Sequence, residues 1–310
     1  MTQEREIIAV NVDLSCDRNC EGCEKFFDCQ APYKLEIYLR RRMDKARSVL
    51  SNVKYKIAVA AGKGGVGKST LSANLATALA AKGYKVTILD QDFDGPSIPR
   101  MLGIMGKKLK ISDEGILPVE GFMRIQVIST GSILSDDDIL TWFHDMRRNA
   151  TEEFLSHVVY GERDFLIIDL PPGTSSDTVN VLQYIPKLDG TVMVTIPSEV
   201  SQGVARRAIH LFQKAGIPVL GVVENMSGVV CEECGAVNHV LGSGGGEKLA
   251  NDMDIPFLGR IPMDHRLSSA MDQGVPFITQ YPDSPAVQAL MGIVSKVEET
   301  LLKDRSAVVS

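Results

Sequence analysis

The 310-residue sequence predicts an α/β fold, with helices on both faces of a doubly wound and mostly parallel sheet. Near-continuous apolar segments, such as DFLIIDL at 164–170, alternate with helical segments, which is typical of strands buried on both faces. A glycine-rich turn connects the first of these strands directly to a helix. With 44% hydrophobic and 23% charged residues, the chain has enough apolar side chains for the core of such a domain.

The sequence divides into four segments. Residues 1–32 are irregular and rich in cysteine, and residues 33–53 are predicted to form a linking helix with one apolar stripe. Residues 54–303 contain the α/β domain, and residues 304–310 are expected to form a frayed tail. The domain boundaries follow from where the alternation of strands and helices begins and ends.

Within the domain, the apolar segments and the amphipathic segments follow one another in order. Strands are predicted at 55–61, 85–90, 164–170, 190–197, 218–225 and 256–262. Helices are predicted at 69–81, 136–160, 176–185, 201–215, 244–252 and 284–303. Residues 103–128 are richer in glycine, proline and β-forming residues, so extended structure is expected there.

Composition argues against several classes of function. The net charge of −6 provides no basic surface for nucleic acid, and no apolar run is long enough to span a membrane. The N-terminal residues are charged and lack the apolar region of a signal peptide. We therefore expect a cytoplasmic protein that binds neither nucleic acid nor membrane, and whose cysteine thiols stay reduced or bind metal.

The segment GKGGVGKST at 62–70 satisfies the phosphate-binding pattern G-x-x-x-x-G-K-[ST] between a predicted strand and a predicted helix. Glycines allow backbone N–H groups to surround phosphate oxygens, and the helix adds the positive end of its dipole. Lys68 is expected to reach the β- and γ-phosphates, and Ser69 to bind Mg²⁺. The predicted ATP-binding residues of this P-loop are Gly62, Lys63, Gly64, Gly65, Val66, Gly67, Lys68, Ser69 and Thr70.

Lys63 is a second lysine, directly after the first glycine, which the phosphate-binding pattern does not require. With it, the loop resembles the deviant Walker A loop of the family that includes MinD, ParA and the nitrogenase iron protein. In that family the first lysine reaches across a dimer interface to the partner's nucleotide. The resemblance implies this catalytic role for Lys63, alongside Lys68, in a homodimer; a solvated loop lysine is the alternative.

Acidic residues follow two of the predicted strands, at the end of a parallel sheet where ligands bind. Asp90 and Asp92 follow the second strand, and Asp169 ends a later one. The resemblance implies that Asp92 is the catalytic residue that positions the attacking water, with Asp90 supporting it. It makes Asp169 the Walker B carboxylate, so that Ser69, Asp90, Asp92 and Asp169 are the expected Mg²⁺ ligands. Asp94 could instead cap the following turn.

Two further positions complete the expected ATP site. Gly173, in the sequence PPG after Asp169, is expected to donate its backbone N–H to the γ-phosphate. Asn225 follows a late strand, where the family reads adenine with an amide side chain. For Asn225 a plain turn residue is the alternative, because asparagine is a common turn former.

Four of the six cysteines lie close together near the N-terminus, with the spacing C-x₃-C-x₂-C-x₅-C. They are Cys16, Cys20, Cys23 and Cys29. This is a complete ligand set within one chain, which zinc or a [4Fe–4S] cluster would accept. The segment is short and polar, so it would need a metal to become ordered; a disulfide is the alternative.

The other two cysteines, Cys231 and Cys234, form a distant Cys-x-x-Cys pair in a predicted loop. A redox motif would open a helix, and the acidic residues Glu232 and Glu233 disfavour a reactive thiolate. A metal site within one chain would need two more ligands, and His239, the nearest candidate, supplies one. A two-fold axis beside the pair would bring four thiolates together from two chains.

Five motifs within residues 54–280 together resemble the Mrp/nucleotide-binding-protein family, also called ApbC-like. They are AAGKGGVGKST, DQDFDGPSIPRMLG, DFLIIDLPPGTSSDT, VVENMSGVVCEECG and PFLGRIPMD. Members of this family are ATP-dependent carriers and scaffolds of iron–sulfur clusters. The resemblance implies a slow ATPase that binds a [4Fe–4S] cluster between two subunits, through Cys231 and Cys234, and transfers it to apo-proteins. It also implies a second cluster on the N-terminal cysteines.

Three other functions are alternatives. A MinD- or ParA-like positioning ATPase would have a basic amphipathic helix or a basic surface. A zinc-bridged targeting ATPase also has a Cys-x-x-Cys pair, but it needs a Met-rich helical insertion that residues 92–169 are too few to contain. A nitrogenase-like reductase has single bridging cysteines near its nucleotide-sensing loops, and the sequence around Asp169 has none.

Overall fold

The structure, a computed structural model, describes residues 34–133, 144–185, 187–231, 234 and 236–309. The predicted cluster segment at 1–32 lies outside the described residues, and with it its four cysteines, Cys16, Cys20, Cys23 and Cys29. Glu232 and Glu233 also lie outside them. The α/β domain predicted at 54–303 falls largely within the described part of the chain.

Eight of the described strands form one large sheet, and four form two short hairpins. In chain order the strands are β1 (Val53–Ala61), β2 (Val86–Asp90), β3 (Lys110–Ser112), β4 (Gly115–Leu117), β5 (Val119–Glu120), β6 (Gln126–Ile128), β7 (Arg163–Asp169), β8 (Gly190–Thr195), β9 (Val219–Glu224), β10 (Val229–Val230), β11 (Val237–Asn238) and β12 (Phe257–Arg260). The sheet order is β12-β9-β8-β1-β7-β2-β6-β5. Its strands are parallel except β5, which pairs antiparallel with β6 at the edge. The prediction of a mostly parallel sheet is confirmed.

Helices connect these strands and pack on both faces of the sheet. They are α1 (Lys34–Val49), α2 (Lys68–Ala81), α3 (Ile98–Met101), α4 (His144–Ser156), α5 (Ser176–Tyr184), α6 (Glu199–Lys214), α7 (Gly245–Asp252), α8 (His265–Asp272), α9 (Phe277–Gln280) and α10 (Pro285–Val309). Short 3₁₀ turns lie at Leu50–Asn52, Phe122–Arg124 and Thr130–Ser132.

The central strand β1 shows why the sheet is buried on both sides. Ile57 and Val59 pack into one apolar cluster, with residues of α2, α9 and α10. Ala58 and Ala60 point to the opposite face and join a second cluster, with residues of α4, α5, α6 and α7. Because successive side chains of a strand alternate between faces, a run of apolar residues is what a covered strand requires.

Two predicted helices differ from the structure in their bounds. The helix predicted at 136–160 ends at Ser156, because the chain beyond it pairs with β4, where Val159 N donates to Ile116 O at 2.9 Å. The last helix continues to Val309, where a frayed tail was expected from residue 304. Residues after Gly292 include neither glycine nor proline, so nothing in the local sequence stops the helix. Among the described residues, no helix is both long and apolar enough to cross a membrane.

Candidate functional site

The predicted P-loop connects β1 to α2, and two of its glycines are required by close contacts. A Cβ atom at Gly62 would lie 2.4 Å from the backbone nitrogen of Ala205 in α6. A Cβ atom at Gly67 would lie 2.1 Å from the side-chain nitrogen of Asn225, and the φ of 85° at Gly67 is left-handed. The other predicted residues of the loop lie in the same connection or in the first turn of α2: Lys63, Gly64, Gly65, Val66, Lys68, Ser69 and Thr70.

Asp169, at the end of β7, is fully buried at the centre of a hydrogen-bond cluster. Its Oδ2 atom accepts from Lys68 Nζ at 2.7 Å and from Ser69 Oγ at 2.6 Å. Its Oδ1 atom accepts from Ser72 Oγ at 2.6 Å, one turn further along α2. The structure therefore brings together three residues predicted to bind phosphate and Mg²⁺, and it adds Ser72 to them.

Asp90 lies beside Asp169, because β2 and β7 pair in parallel with these two residues in register. Ser129 Oγ donates to Asp90 Oδ2 at 3.0 Å, and the backbone nitrogen of Asp92 donates to Asp90 Oδ1 at 3.1 Å. Burial raises the pKa of the Asp90 carboxyl, and the negative charge of Asp169 raises it further. Burial also raises the pKa of Asp92, whose Oδ1 atom accepts from Gly95 N at 3.3 Å.

Gly173 lies in the loop after β7, against the start of the P-loop. Its backbone nitrogen donates to Ala61 O at 2.8 Å, and its φ of 81° is left-handed. A Cβ atom at Gly173 would lie 3.7 Å from Gly62 O. Since an N–H group has one proton to donate, binding a γ-phosphate would require Gly173 to release Ala61.

Asp94 does not act as a turn cap but forms an ion pair. Arg147 Nη1, on α4, donates to Asp94 Oδ2 at 2.9 Å and to Asp177 Oδ2 at 3.1 Å. These bonds raise the pKa of Arg147, with the hydrogen bond to Asp94 as the largest cause. One guanidinium therefore connects the segments that follow β2 and β7.

Asn225 follows β9, and its side-chain nitrogen donates to Val66 O in the P-loop at 2.9 Å. Together with Gly67 and Thr70 it lines a cavity of about 1160 Å³. The segment 262–266, between β12 and α8, also lines this cavity. The cavity is large enough for a nucleoside, so the adenine-reading position predicted for Asn225 borders a suitable space.

Asp264 is held firmly in the wall of this cavity. Arg266 Nη2 donates to Asp264 Oδ2 at 2.7 Å, and Ser284 Oγ donates to the same atom at 2.7 Å. The Arg266 bonds are the largest cause that lowers the pKa of Asp264, to about 2. This carboxylate is therefore ionised at neutral pH and fixes the segment around it.

Cys231 and Cys234 are both exposed, in the connection between β10 and β11. The hairpin is closed by a bond of 2.9 Å from Cys231 N to Ala236 O. Cys231 also lines the cavity that contains Gly67 and Asn225. Both cysteines lie in the predicted loop, and the structure adds that Cys231 borders the expected nucleotide site.

Glu224 is a buried carboxylate directly before Asn225. Its Oε1 atom accepts from Ser227 Oγ at 2.6 Å and from Gly244 N at 3.0 Å. Its Oε2 atom accepts from Gly246 N at 2.5 Å, at the start of α7. The end of β9 is thereby fixed to the N-terminal turn of α7, where the helix dipole favours a negative charge.

Exposed apolar side chains lie on and beside the hairpin that bears the cysteines, and we call them the apolar face. They are Val229 and Val237 of the hairpin itself, Val240 and Leu241 shortly after it, and Met263. Met263 pairs with Val229 in an isolated β-bridge, and its backbone nitrogen donates to Gly228 O at 2.8 Å. Exposed apolar patches of this kind mark interaction surfaces.

Sequence reasoning did not identify several residues of this site. The sequence does contain a signal for Ser72, because a serine three residues after Ser69 lies on the same helical face. It also contains one for Glu224, since an acidic residue at the end of an apolar strand needs buried partners. No local pattern identifies Arg147, because its two partners lie 53 and 30 residues away in the chain.

The oxygen atoms at the P-loop fit a magnesium ion. Ser69 Oγ and Asp169 Oδ2 lie 2.6 Å apart, and Asp90 is in register with Asp169 on the adjacent strand. Hydroxyl and carboxylate oxygens are the ligands that Mg²⁺ prefers. Within the described residues, no group of three or more His, Cys, Asp or Glu side chains is placed to hold a metal ion.

Comparison with known proteins gives one family. The family model of ParA, described as NUBPL iron-transfer P-loop NTPase, matches residues 52–298. An iron-sulfur cluster carrier protein of Saccharolobus solfataricus is 44% identical over 254 residues, which cover 82% of this chain and 86% of the relative. The cytosolic Fe-S cluster assembly factor NUBP2 of Bos taurus is 41% identical over 253 residues, which cover 80% and 93%.

A solved structure is also similar. The nucleotide-binding protein of Archaeoglobus fulgidus, in complex with ADP, superposes with a TM-score of 0.68 and 38% identity. The match covers 76% of this chain and 92% of that one. The family resemblance predicted from the motifs is therefore confirmed in both sequence and fold.

Proposed function

The chain belongs to the NUBPL iron-transfer P-loop NTPase family, and we propose that it is an ATPase that carries iron–sulfur clusters to apo-proteins. One observation supports this function above the others. Residues expected to bind nucleotide, Gly67 and Asn225, line the same cavity as Cys231, one of two exposed thiols. A carrier driven by ATP needs a nucleotide site that is energetically coupled to a releasable cluster site, and a shared cavity wall provides a direct route for that coupling.

ATP hydrolysis in this proposal uses the residues around Asp169. The P-loop amides and Lys68 hold the phosphates, and Asp92 orients the attacking water. Asp92 suits this role because its Oδ1 atom accepts only a long bond from Gly95 N, at 3.3 Å, among the residues that the structure describes. Lys63 of each chain would reach the nucleotide of the other chain, and Gly173 would donate to the γ-phosphate.

Mg²⁺ would be held by Ser69, Asp169 and Asp90, with Asp92 beside them. The ion would neutralise charge on the β- and γ-phosphate oxygens when it is bound. In this structure Lys68 and Ser69 both donate to Asp169. Bound phosphate would instead accept from Lys68, and the metal would bind Ser69 and Asp169 in place of the bond between them. The buried Ser72 keeps its separate bond to the other oxygen, which holds the carboxylate in place during the exchange.

The transported cluster would be a [4Fe–4S] cluster bound between two chains. Cys231 and Cys234 supply two thiolates, and a [4Fe–4S] cluster takes four. A second copy related by a two-fold axis supplies the other two. Both cysteines are exposed, as ligands shared with another chain must be.

The apolar face supports the homodimer. Val240 is 68% exposed and Val237 is 50% exposed, so covering them with a partner surface would be favourable. Because these side chains lie on and beside the cysteine hairpin, a second copy on this face would cover them and bring the two pairs together. The occupant that we propose for the face is therefore another copy of this chain.

ATP would act on the cluster through the end of β9. Asn225 bonds to the P-loop, and three residues later Gly228 O accepts from Met263 N at 2.8 Å, at the base of the hairpin. Nucleotide that moves Asn225 or the 262–266 segment would therefore move the hairpin that carries Cys231. If the cluster binds more tightly to one position of the hairpin than to the other, cluster binding is coupled to ATP binding.

The N-terminal cysteines are proposed to hold a second cluster, either [4Fe–4S] or zinc. A cytoplasmic location is proposed from the relative that is named cytosolic. We propose no nucleic-acid or membrane partner, because the net charge is −6 and the apolar face is explained by a second copy.

Metal and sulfide analysis tests this proposal. The protein is purified without oxygen, and iron, sulfide and zinc per chain are measured for the wild type and for Cys231→Ala with Cys234→Ala. We expect the variant to lose about half a cluster per chain, because a cluster bridging two chains counts as half for each. The matched control replaces the four N-terminal cysteines and should lose the other cluster while retaining the bridging one.

One zinc per dimer without sulfide would refute the carrier function and favour a zinc-bridged dimer. Unchanged iron in the Cys231 and Cys234 variant would refute the bridging site. A wild type that binds the cluster but does not hydrolyse ATP would refute the coupling.

A further inference from the structure

Arg147 connects the segments that follow β2 and β7, next to the proposed hydrolysis machinery. Its Nη1 atom lies 2.9 Å from Asp94 Oδ2 and 3.1 Å from Asp177 Oδ2. Asp94 lies two residues after Asp92, and Asp177, in the first turn of α5, lies four residues after Gly173. A single side chain on α4 therefore touches both segments close to the residues that would contact water and the γ-phosphate.

This contact differs from an ordinary surface ion pair in its surroundings. The side chain of Arg147 is 22% exposed and that of Asp177 is 10% exposed, so this pair is partly shielded from solvent. Only an arginine presents several donors in a planar fork that can serve two carboxylates. Asp94 is 69% exposed, so the shielded bond to Asp177 holds the guanidinium and the exposed bond to Asp94 connects it to the segment after β2.

Helix α4, which carries Arg147, is itself anchored beside the segments that follow β2 and β7. Thr151 Oγ1 donates to Gln91 Oε1 at 2.8 Å, next to Asp92, and Tyr184 of α5 bonds to Glu152.

The residues on either side of Asp92 are buried, and they contact α4: Gln91 bonds to Thr151, and the ring of Phe93 lies 6.5 Å from that of Phe154. Asp90 accepts from the backbone of Asp92, and Asp92 accepts from Gly95 at 3.3 Å, both within the loop itself. Arg147 adds a further connection to α4 through Asp94, and this connection also reaches α5 through Asp177. Arg147 therefore joins the segment after Asp92 to the start of α5.

We propose that Arg147 is a positioning residue for ATP hydrolysis, which holds Asp92 in register with Gly173 across the γ-phosphate. The inference rests on the proposed roles of these two residues. Arg147 touches neither nucleotide nor water in this account, so its effect should appear in the rate of hydrolysis rather than in ATP binding. A displacement of about 1 Å at a catalytic group can lower a rate by up to about 100-fold.

The test compares two neighbouring arginines of α4 in steady-state ATPase assays. Arg147→Ala should lower kcat by about tenfold and leave KM for ATP within about twofold, because the P-loop is unchanged. Arg148→Ala is the matched control, since Arg148 has similar exposure but bonds to Glu152 and Tyr184 instead of the loops. It should leave kcat within about twofold. Urea unfolding of each variant verifies that it folds.

Two further variants separate positioning from a general loss of charge. Arg147→Lys keeps the positive charge but cannot serve both carboxylates with a fork, so it should recover only part of kcat. Asp94→Asn and Arg147→Ala should be non-additive in a double-mutant cycle, because each removes the same connection.

The outcomes distinguish this inference from the proposed function. Equal kcat for the two alanine variants, with Asp92→Ala inactive, would overturn the role of Arg147 and leave the ATPase intact. A rise in KM without a fall in kcat would also overturn it, because that result places Arg147 in nucleotide binding. An active Asp92→Ala variant would instead refute the proposed hydrolysis mechanism, and with it the inference.

Discussion

The bond from Ser72 to Asp169 provides a sharp test of how the Walker B carboxylate is held. Both residues are fully buried, and Ser72 Oγ donates to Asp169 Oδ1 at 2.6 Å. The other oxygen of Asp169 is occupied by Lys68 and Ser69. Replacing Ser72 with alanine therefore leaves one buried carboxylate oxygen without this donor.

The size of the effect follows from the charge of the acceptor. A hydrogen bond to a charged group contributes about 1.5–3 kcal/mol net, against about 0.5–1.5 kcal/mol between neutral groups. We therefore expect Ser72→Ala to lower the free energy of unfolding by about 1.5–3 kcal/mol. With a urea dependence of about 3 kcal/mol per molar for a domain of this size, the midpoint falls by about 0.5–1 M.

The assay is urea unfolding without nucleotide, with Thr77→Val as the matched control. Thr77 lies on the same helix, is equally buried and donates to a neutral acceptor, Ala73 O, at 2.7 Å. Because the carbonyl of Ala73 also belongs to the helix hydrogen-bond ladder, losing the bond from the Thr77 hydroxyl should lower the free energy of unfolding by less than about 1 kcal/mol. A midpoint for Ser72→Ala no lower than that for Thr77→Val would refute the argument that Ser72 holds the carboxylate.

Three other predictions concern the site. An added Cβ in Gly67→Ala would lie 2.1 Å from a side-chain nitrogen, so calorimetric ATP affinity should fall by more than about tenfold. Gly292→Ala in α10, where no atom lies within 4 Å of the added Cβ, should keep that affinity, and equal losses would contradict the contact. Val240→Lys should weaken dimerisation in sedimentation by about tenfold, whereas Ile111→Lys, 88% exposed on a different hairpin, should not. The pKa of Asp264 is lowered to about 2 in the folded protein, so the stability that its carboxylate contributes is complete above about pH 5 and is lost as the pH falls toward that pKa. The difference in urea midpoint between the wild type and Asp264→Asn should therefore shrink as the pH falls. A difference that does not depend on pH would contradict this.

The sheet and the P-loop could be predicted because their signals are local. The apolar run of β1 and the spacing of Gly62, Gly67 and Lys68 lie within a few residues of one another. Asp90 and Asp169 were also predictable, because the carboxyl ends of parallel strands meet at one edge of the sheet. The relation of Lys63 to a partner chain came only from the family resemblance and stays a prediction.

What the sequence could not predict depends on contacts between distant segments. Arg147 meets Asp94 and Asp177 only after α4 has packed beside α5, and no spacing in the sequence encodes that meeting. The cavity shared by Asn225 and Cys231 likewise depends on the chain turning back after β9. Left-handed backbone at Met226 and Gly228, with φ of 55° and 85°, produces this turn.

In the proposed carrier two chains share one transported cluster, and native mass spectrometry of the intact complex tests this. The sample is a variant with the four N-terminal cysteines replaced by serine, loaded with iron and sulfide without oxygen. We expect a mass equal to two chains plus one [4Fe–4S] cluster, which disappears when Cys231 and Cys234 are also replaced. A single chain that retains a whole cluster, or two chains bridged by zinc, would contradict it.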